Sequence, residues 1–139
     1  MGEPFVVDNS LVMSWCFEDE KRIYSGKVLD ALGEHGALVP GIWPLEVASV
    51  LLVAQRKKRL GKVDAARFIT LVRSLPIQVI QETPGRVMGE ILALAHDTGL
   101  SSYDASYLDL AMREGLPLAT LDKNMRKAAK RSHVSLVDP

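Results

Sequence analysis

Short apolar runs alternate along this chain with longer segments whose apolar residues recur at helical spacing. "PFVVD" (4–8) is a β-branched run ending on an acid and reads as a buried strand. "SGKVLDALGEHG" (25–36) reads as a helix closed by glycine, and "ALVP" (37–40) as a second strand. "WPLEVASVLLVAQRKKRLG" (43–61) is the longest helical pattern, with Pro44 suited to its first turn and Gly61 to its exit. "KVDAARFITLVRSL" (62–75) is another helix, followed by Pro76 and a strand "IQVI" (77–80). Pro84 opens a helix to about His96, and Gly99 follows it. "SSYDASYLDLAMREG" (101–115) is the next helix, with Ser101 or Ser102 as its cap. "PLATLD" (117–122) is a strand ending on an acid, "KNMRKAAKR" (123–131) a basic helix and "VSLV" (134–137) a closing strand.

Strands alternating with helices form βα units around a parallel sheet covered on both faces. The pattern therefore predicts a three-layer α/β/α sandwich with a mainly parallel sheet of four to five strands, as one domain over residues 1–139. Sites in such sheets lie beyond the carboxyl ends of the strands. Composition narrows the class. Hydrophobic residues make up 47% and charged residues 24%, the balance of a globular protein. A single cysteine, Cys16, excludes an intramolecular disulfide and a zinc cluster. No apolar stretch approaches the roughly 18 residues that span a bilayer, and the first residues lack the basic region of a signal peptide. A cytoplasmic location without membrane contact is the expectation.

Seventeen basic and seventeen acidic residues cancel, so net charge does not point to nucleic acid. The distribution is more informative. "RKKRLGK" (56–62) holds five basic residues in seven, and residues 123–131 hold five in nine. Such runs read first as solvated helix faces. Beside an anion-binding site they would hold a polyanion, through Arg56, Lys57, Lys58, Arg59, Lys123, Arg126 and Lys127.

Four acids stand at the polar edges of apolar segments. Asp8 and Asp122 end two of the strands. Glu46 lies in the first turn of its helix, near the face carrying Val50 and Val53. Asp104 begins the stripe Tyr107, Leu108, Ala111 and Met112. Each alone has a plain reading as a cap or as an acid meeting the positive end of a helix dipole. Together they raise the question of convergence. Two like charges about 4 Å apart repel by roughly 4 kcal/mol at an effective dielectric near 20. Four gathered carboxylates would take up protons or recruit a cation. An all-oxygen acidic set suits Mg²⁺ or Mn²⁺; His35, His96 and His133 show no ligand spacing and read as surface or helix-end residues. A divalent ion held this way matches a phosphodiester substrate. Ser10 and Thr120, each two residues from a strand-end acid, would orient a carboxylate or a water. Tyr103 and Tyr107 read as packing residues.

"FVVDNSLVMSW", "PLEVASVLL", "SSYDASYLDLA" and "LPLATLDKNMRKAA" resemble, in order and spacing, the PIN-domain ribonucleases, above all the VapC toxins of type II toxin–antitoxin systems. The resemblance covers nearly the whole chain. It implies a PIN-like α/β/α fold and a metal-dependent nuclease site whose carboxylates match Asp8, Glu46, Asp104 and Asp122, with Ser10 and Thr120 as nearby hydroxyls. It further implies an RNA substrate, homodimers and a VapB-like antitoxin that inhibits the toxin, forms higher assemblies with it and supplies the DNA binding. Some members carry another acid after the last motif aspartate; here Lys123, Asn124 and Met125 follow.

The mechanism expected is in-line hydrolysis of RNA that leaves 5′-phosphate and 3′-hydroxyl ends. Two other classes share some of these features. A Mg²⁺-dependent aspartyl-phosphate enzyme or receiver domain needs a strand-end Asp and a nearby hydroxyl, but the paired acid is absent and Ser10 stands in its place. A catalytically silent binding partner would use the acids only as caps and as contacts for a basic peptide.

Overall fold

The computed structural model describes residues 2–17 and 22–139. Strand β1 (Phe5–Val7) is buried throughout and pairs in parallel with β2 (Ala37–Pro40) on one side and β4 (Leu118–Ala119) on the other. Strand β3 (Ile77–Ile80) adds to β2, giving the order β3-β2-β1-β4 with every pairing parallel. Val6 sits opposite Leu38 and Leu118, so the central strand is enclosed by aliphatic side chains on both flanks. β3 is an edge, and its Gln78 is exposed. The expected strand at 134–137 contributes one parallel bridge, Leu136 to Leu118, so the sheet has four strands.

Helices α1 (Asn9–Ser14) and α2 (Ile23–His35) connect β1 to β2; α3 (Trp43–Arg56) and α4 (Lys62–Ser74) connect β2 to β3. The return from β3 to β4 runs through α5 (Pro84–Arg86), a π-helical turn (Val87–Ile91), α6 (Leu92–Thr98) and α7 (Ser102–Glu114). Helix α8 (Lys123–Arg131) follows β4. The first crossovers move outward across the sheet and the return moves back, so right-handed connections put the two helix groups on opposite faces. This is the expected three-layer arrangement. Helix α7 packs on β1 and β2, and α8 on α7.

Several boundaries differ from the sequence pattern for local reasons. Helix α1 is not foreseen, because five of its six residues are buried and no polar face marks its period. Helix α3 ends at Arg56 rather than Gly61. Lys58 takes φ 59°, Lys58 N–H bonds Gln55 O at 3.0 Å, and Arg59 N–H bonds Ala54 O at 2.8 Å. That is a Schellman-type stop with lysine at the left-handed position. Gly61 then caps the start of α4. In α7 all residues from Ala105 to Ala111 are buried, while Met112, expected on the buried stripe, is 44% exposed. The helix lies between the sheet on one side and α6 and α8 on the others, so its buried face is wider than one stripe. Gly36, Gly99 and Gly115 close their helices with positive φ as expected. Among the described residues no helix is long and apolar enough to cross a membrane.

Candidate active site

The strand order reverses at β1. The chain steps from β1 to β2 to β3, then returns to place β4 on the other side of β1. The carboxyl ends of β1 and β4 therefore form the switch point of the sheet, where open α/β sheets bind ligands. Asp8 follows β1, and Thr120 and Asp122 follow β4.

Asp8 is 3% exposed. Its Oδ1 accepts from Leu11 N at 3.1 Å, which caps α1, and from Ser10 Oγ at 2.7 Å. Its Oδ2 accepts from the Thr120 hydroxyl. That hydroxyl in turn accepts from Asp122 N at 3.0 Å. Ser10 and Thr120 thus hold the Asp8 carboxylate in place, and Thr120 ties the two strand ends together. Burial pushes the Asp8 carboxyl up to about 6, against the pull of the Thr120, Ser10 and Leu11 donors and with a further push from the charge of Asp104.

Glu46 sits in the first turn of α3, which starts with Pro44 at one of its opening positions. Its Oε1 accepts from the Tyr107 hydroxyl at 2.5 Å. Burial raises its pKa, the Tyr107 donor lowers it, and Asp104 raises it again. Tyr107 is itself 1% exposed; burial and the Glu46 carboxylate hold its phenol far above the usual range, so it remains a donor. Sequence reasoning read Tyr107 as packing. It does pack, and it also aims Glu46. The available signal was its place one turn after Asp104 on the same face.

Asp104 occupies the first turn of α7, whose cap Ser101 accepts from Asp104 N at 3.1 Å. Burial raises the Asp104 carboxyl, the charge of Asp122 raises it further, and Ser101 opposes both. Asp122 caps α8 through Oδ1, which accepts from Met125 N at 3.0 Å. Asp104 is the hub: its charge acts on Asp8 and Glu46, and that of Asp122 acts on it. The four acids share one electrostatic neighbourhood, while Asp8 and Asp122 also serve as ordinary helix caps.

The ion pairs among the described residues lie elsewhere. Arg86 holds Asp109 with bonds of 2.8 and 2.9 Å, and Arg113 reaches Glu82 at 3.0 Å. Asp109, five residues beyond Asp104 on α7, pairs with Arg86 rather than joining the acidic group. No cation pairs with Asp8, Glu46, Asp104 or Asp122 among the described residues. No described donor reaches Glu46 Oε2 or Asp122 Oδ2. Hard oxygens with uncompensated charge and vacant lone pairs fit a divalent cation that keeps part of its hydration shell. Among the described residues no three His, Cys, Asp or Glu side chains are grouped so as to hold a metal ion as they stand, so an ion bound here would draw the carboxylates together or complete its shell with water.

Two clefts flank this group. One, of about 420 Å³, is lined by Ser101, Asp104, Asp122, Asn124, Lys127 and Arg131, among others. The other, of about 360 Å³, holds Asn9, Glu46 and Tyr103. Tyr103 is 57% exposed, so the packing role expected for it does not hold.

Residues 5–131 match the PIN domain family. This chain belongs to the PIN domain family. A Pyrobaculum aerophilum protein named Exonuclease VapC9 is 36% identical to this PIN domain over 78 residues, 54% of this chain and 56% of that protein. The aligned part is thus little more than half the length of that curated relative. The crystal structure of PAE2754 from Pyrobaculum aerophilum superposes on this PIN domain with a TM-score of 0.67, at 24% identity, over 92% of this chain and 87% of that one. At that identity the likeness concerns the fold.

The basic residues named from the sequence are dispersed around this PIN domain. Arg56 ends α3, and Lys57, Lys58 and Arg59 form the turn after it, roughly 15 Å along the helix axis from Glu46. The Arg59 guanidinium lies 4.0 Å from the Phe17 ring centroid. Lys123 is exposed at the start of α8. Arg126 donates to Thr120 O at 3.2 Å and covers Tyr24 at 5.0 Å, so it holds the end of β4. Of these seven, only Lys127 lines the cleft with Asp104 and Asp122; Arg131, which the sequence did not single out, joins it there.

Proposed function

We propose that this PIN domain is a divalent-metal-dependent endoribonuclease and the toxin of a VapB–VapC-type pair. The observation that carries the reading is the set of carboxylates at the switch point of the sheet, where Thr120 ties Asp8 to the backbone of Asp122 and Asp104 and Asp122 line one cleft, with no ion-pair partner for any of the four acids among the described residues. Asp8, Glu46, Asp104 and Asp122 would hold Mg²⁺ or Mn²⁺. When bound, such an ion supplies neutralisation of phosphate charge and a lowered pKa for water. The protein's own residues set the geometry. Ser10 and Thr120 fix Asp8, Tyr107 fixes Glu46, and the Ser101 cap fixes Asp104. Lys127 and Arg131 on α8 receive backbone phosphates beside Asp104 and Asp122. The products are 5′-phosphate and 3′-hydroxyl ends.

The exposed apolar residues Leu52 and Val53 on α3 and Val63 on α4 support burial against partner chains. These are the homodimer mate and a VapB-like antitoxin, which brings DNA binding to the complex. The setting is cytoplasmic. The decisive assay uses a circular single-stranded RNA, which only an internal cut can open. Wild type opens it with Mn²⁺; Asp8→Asn and Asp104→Asn, folded by circular dichroism, do not. Undiminished cutting in excess EDTA or in either variant overturns the proposal.

A further inference from the structure

Asn9 opens α1 directly after Asp8. It is 8% exposed, and its Oδ1 is buried without a hydrogen-bond partner among the described residues. Folded proteins leave few buried polar atoms unmatched, and those that remain ask for an explanation. Asn9 lines the cleft of about 360 Å³ on the Glu46 side of the acidic group. The walls are Ile42, Leu45, Val50 and Tyr103. Leu45 and Tyr103 are 66% and 57% exposed, an arrangement that presents an aromatic face and an aliphatic face to whatever enters. Tyr103 and Asp104 are neighbours in sequence, and the one lines this cleft while the other lines its companion on the far side.

An apolar slot with one aromatic wall, one unmatched amide and a carboxylate at its rim has the features that receive a nucleobase. Stacking serves any base, and an amide reads the N–H donors on a base edge. We propose that this cleft is a subsite for one unpaired nucleobase adjoining the scissile phosphate, with Tyr103 stacking on it and the Asn9 amide turning toward the cleft to bond its edge. The proposal rests on the ribonuclease reading and names the two residues that hold the base.

The test uses a labelled single-stranded oligoribonucleotide and versions with one abasic ribose at each position flanking the cut. Binding is followed by anisotropy in Ca²⁺ and cleavage in Mn²⁺, for wild type, Asn9→Ala and Tyr103→Ala. Tyr103 is exposed, so the second variant keeps the fold even if loss of the buried amide disturbs α1. One abasic position weakens wild-type binding about tenfold. The same change costs each variant less than about twofold, because the pocket's half of the contact is already gone. Equal losses in all three proteins, or no loss in any, overturn the subsite. Coupling without cleavage keeps the subsite and removes the nuclease reading; cleavage without coupling does the reverse.

Discussion

At the residue scale the site is held against its own electrostatics. Asp8 has its proton affinity raised to about 6 in the folded chain, from an ordinary 3.8, chiefly by burial. Below about pH 4 the group is protonated in both folded and unfolded chains. As pH rises to about 6 the unfolded chain loses the proton first, so folding stability falls across that window and stays reduced above it. The cost at neutral pH is on the order of 1–3 kcal/mol. Asp8→Asn, whose amide oxygen can still cap Leu11, should therefore melt several degrees above wild type at pH 7.5 in metal-free buffer. It should also lose the stability decline between pH 4 and 6, and calorimetry over that range checks both. Added Mn²⁺ should raise the wild-type melting point and leave that of the variant unchanged. Thr120 donates to Asp8 and lowers its pKa. Thr120→Val should move the acid limb of the pH–rate profile to higher pH, by about one unit, and Thr120→Ser should restore it.

The elements show where periodicity is a sufficient guide and where it is not. Helix α7 was legible from its serine cap, its stripe and its closing glycine, yet Met112 lies outside while Asp109 and Leu110 lie inside. A helix enclosed on several sides buries residues that one stripe does not contain. Helix α1 was illegible for the same physical reason carried further, since a short segment with almost no exposed face has no period to read. The exit of α3 was misplaced because a lysine holds the left-handed position usually given to glycine. Lys58→Gly should relieve that strain by more than it costs in chain entropy, a net gain of about 0.5–1 kcal/mol. Thermal melting should rise by about 2–4 °C; an unchanged or lower value would mean the turn is not strained.

At the scale of the whole molecule, the candidate site was legible because its acids stand at strand ends and helix starts, places that a parallel sheet brings together. Its supporting groups were not. A tyrosine in an apolar stripe spells packing whether or not its hydroxyl reaches a carboxylate, as Tyr107 does to Glu46. Charge placement separates the basic runs. Lys127→Ala should lower the salt slope of RNA binding by about one, whereas Lys57→Ala, far along α3, should change it less. Filter binding between low and moderate salt compares the two. Away from the site, Asp109 joins Arg86 on the helical return to Arg113 on α7, and its side chain is 7% exposed. Asp109→Ala should cost about 3 kcal/mol in urea unfolding, because two guanidinium groups lose their shared partner. The bond from Thr120 to Asp8 spans 112 residues of chain. While the protein is being synthesised, three of the four acids leave the ribosome before the strand that completes their surroundings. The acidic group is therefore complete only once β4 has been made and has docked beside β1, the last pairing of the sheet to become available.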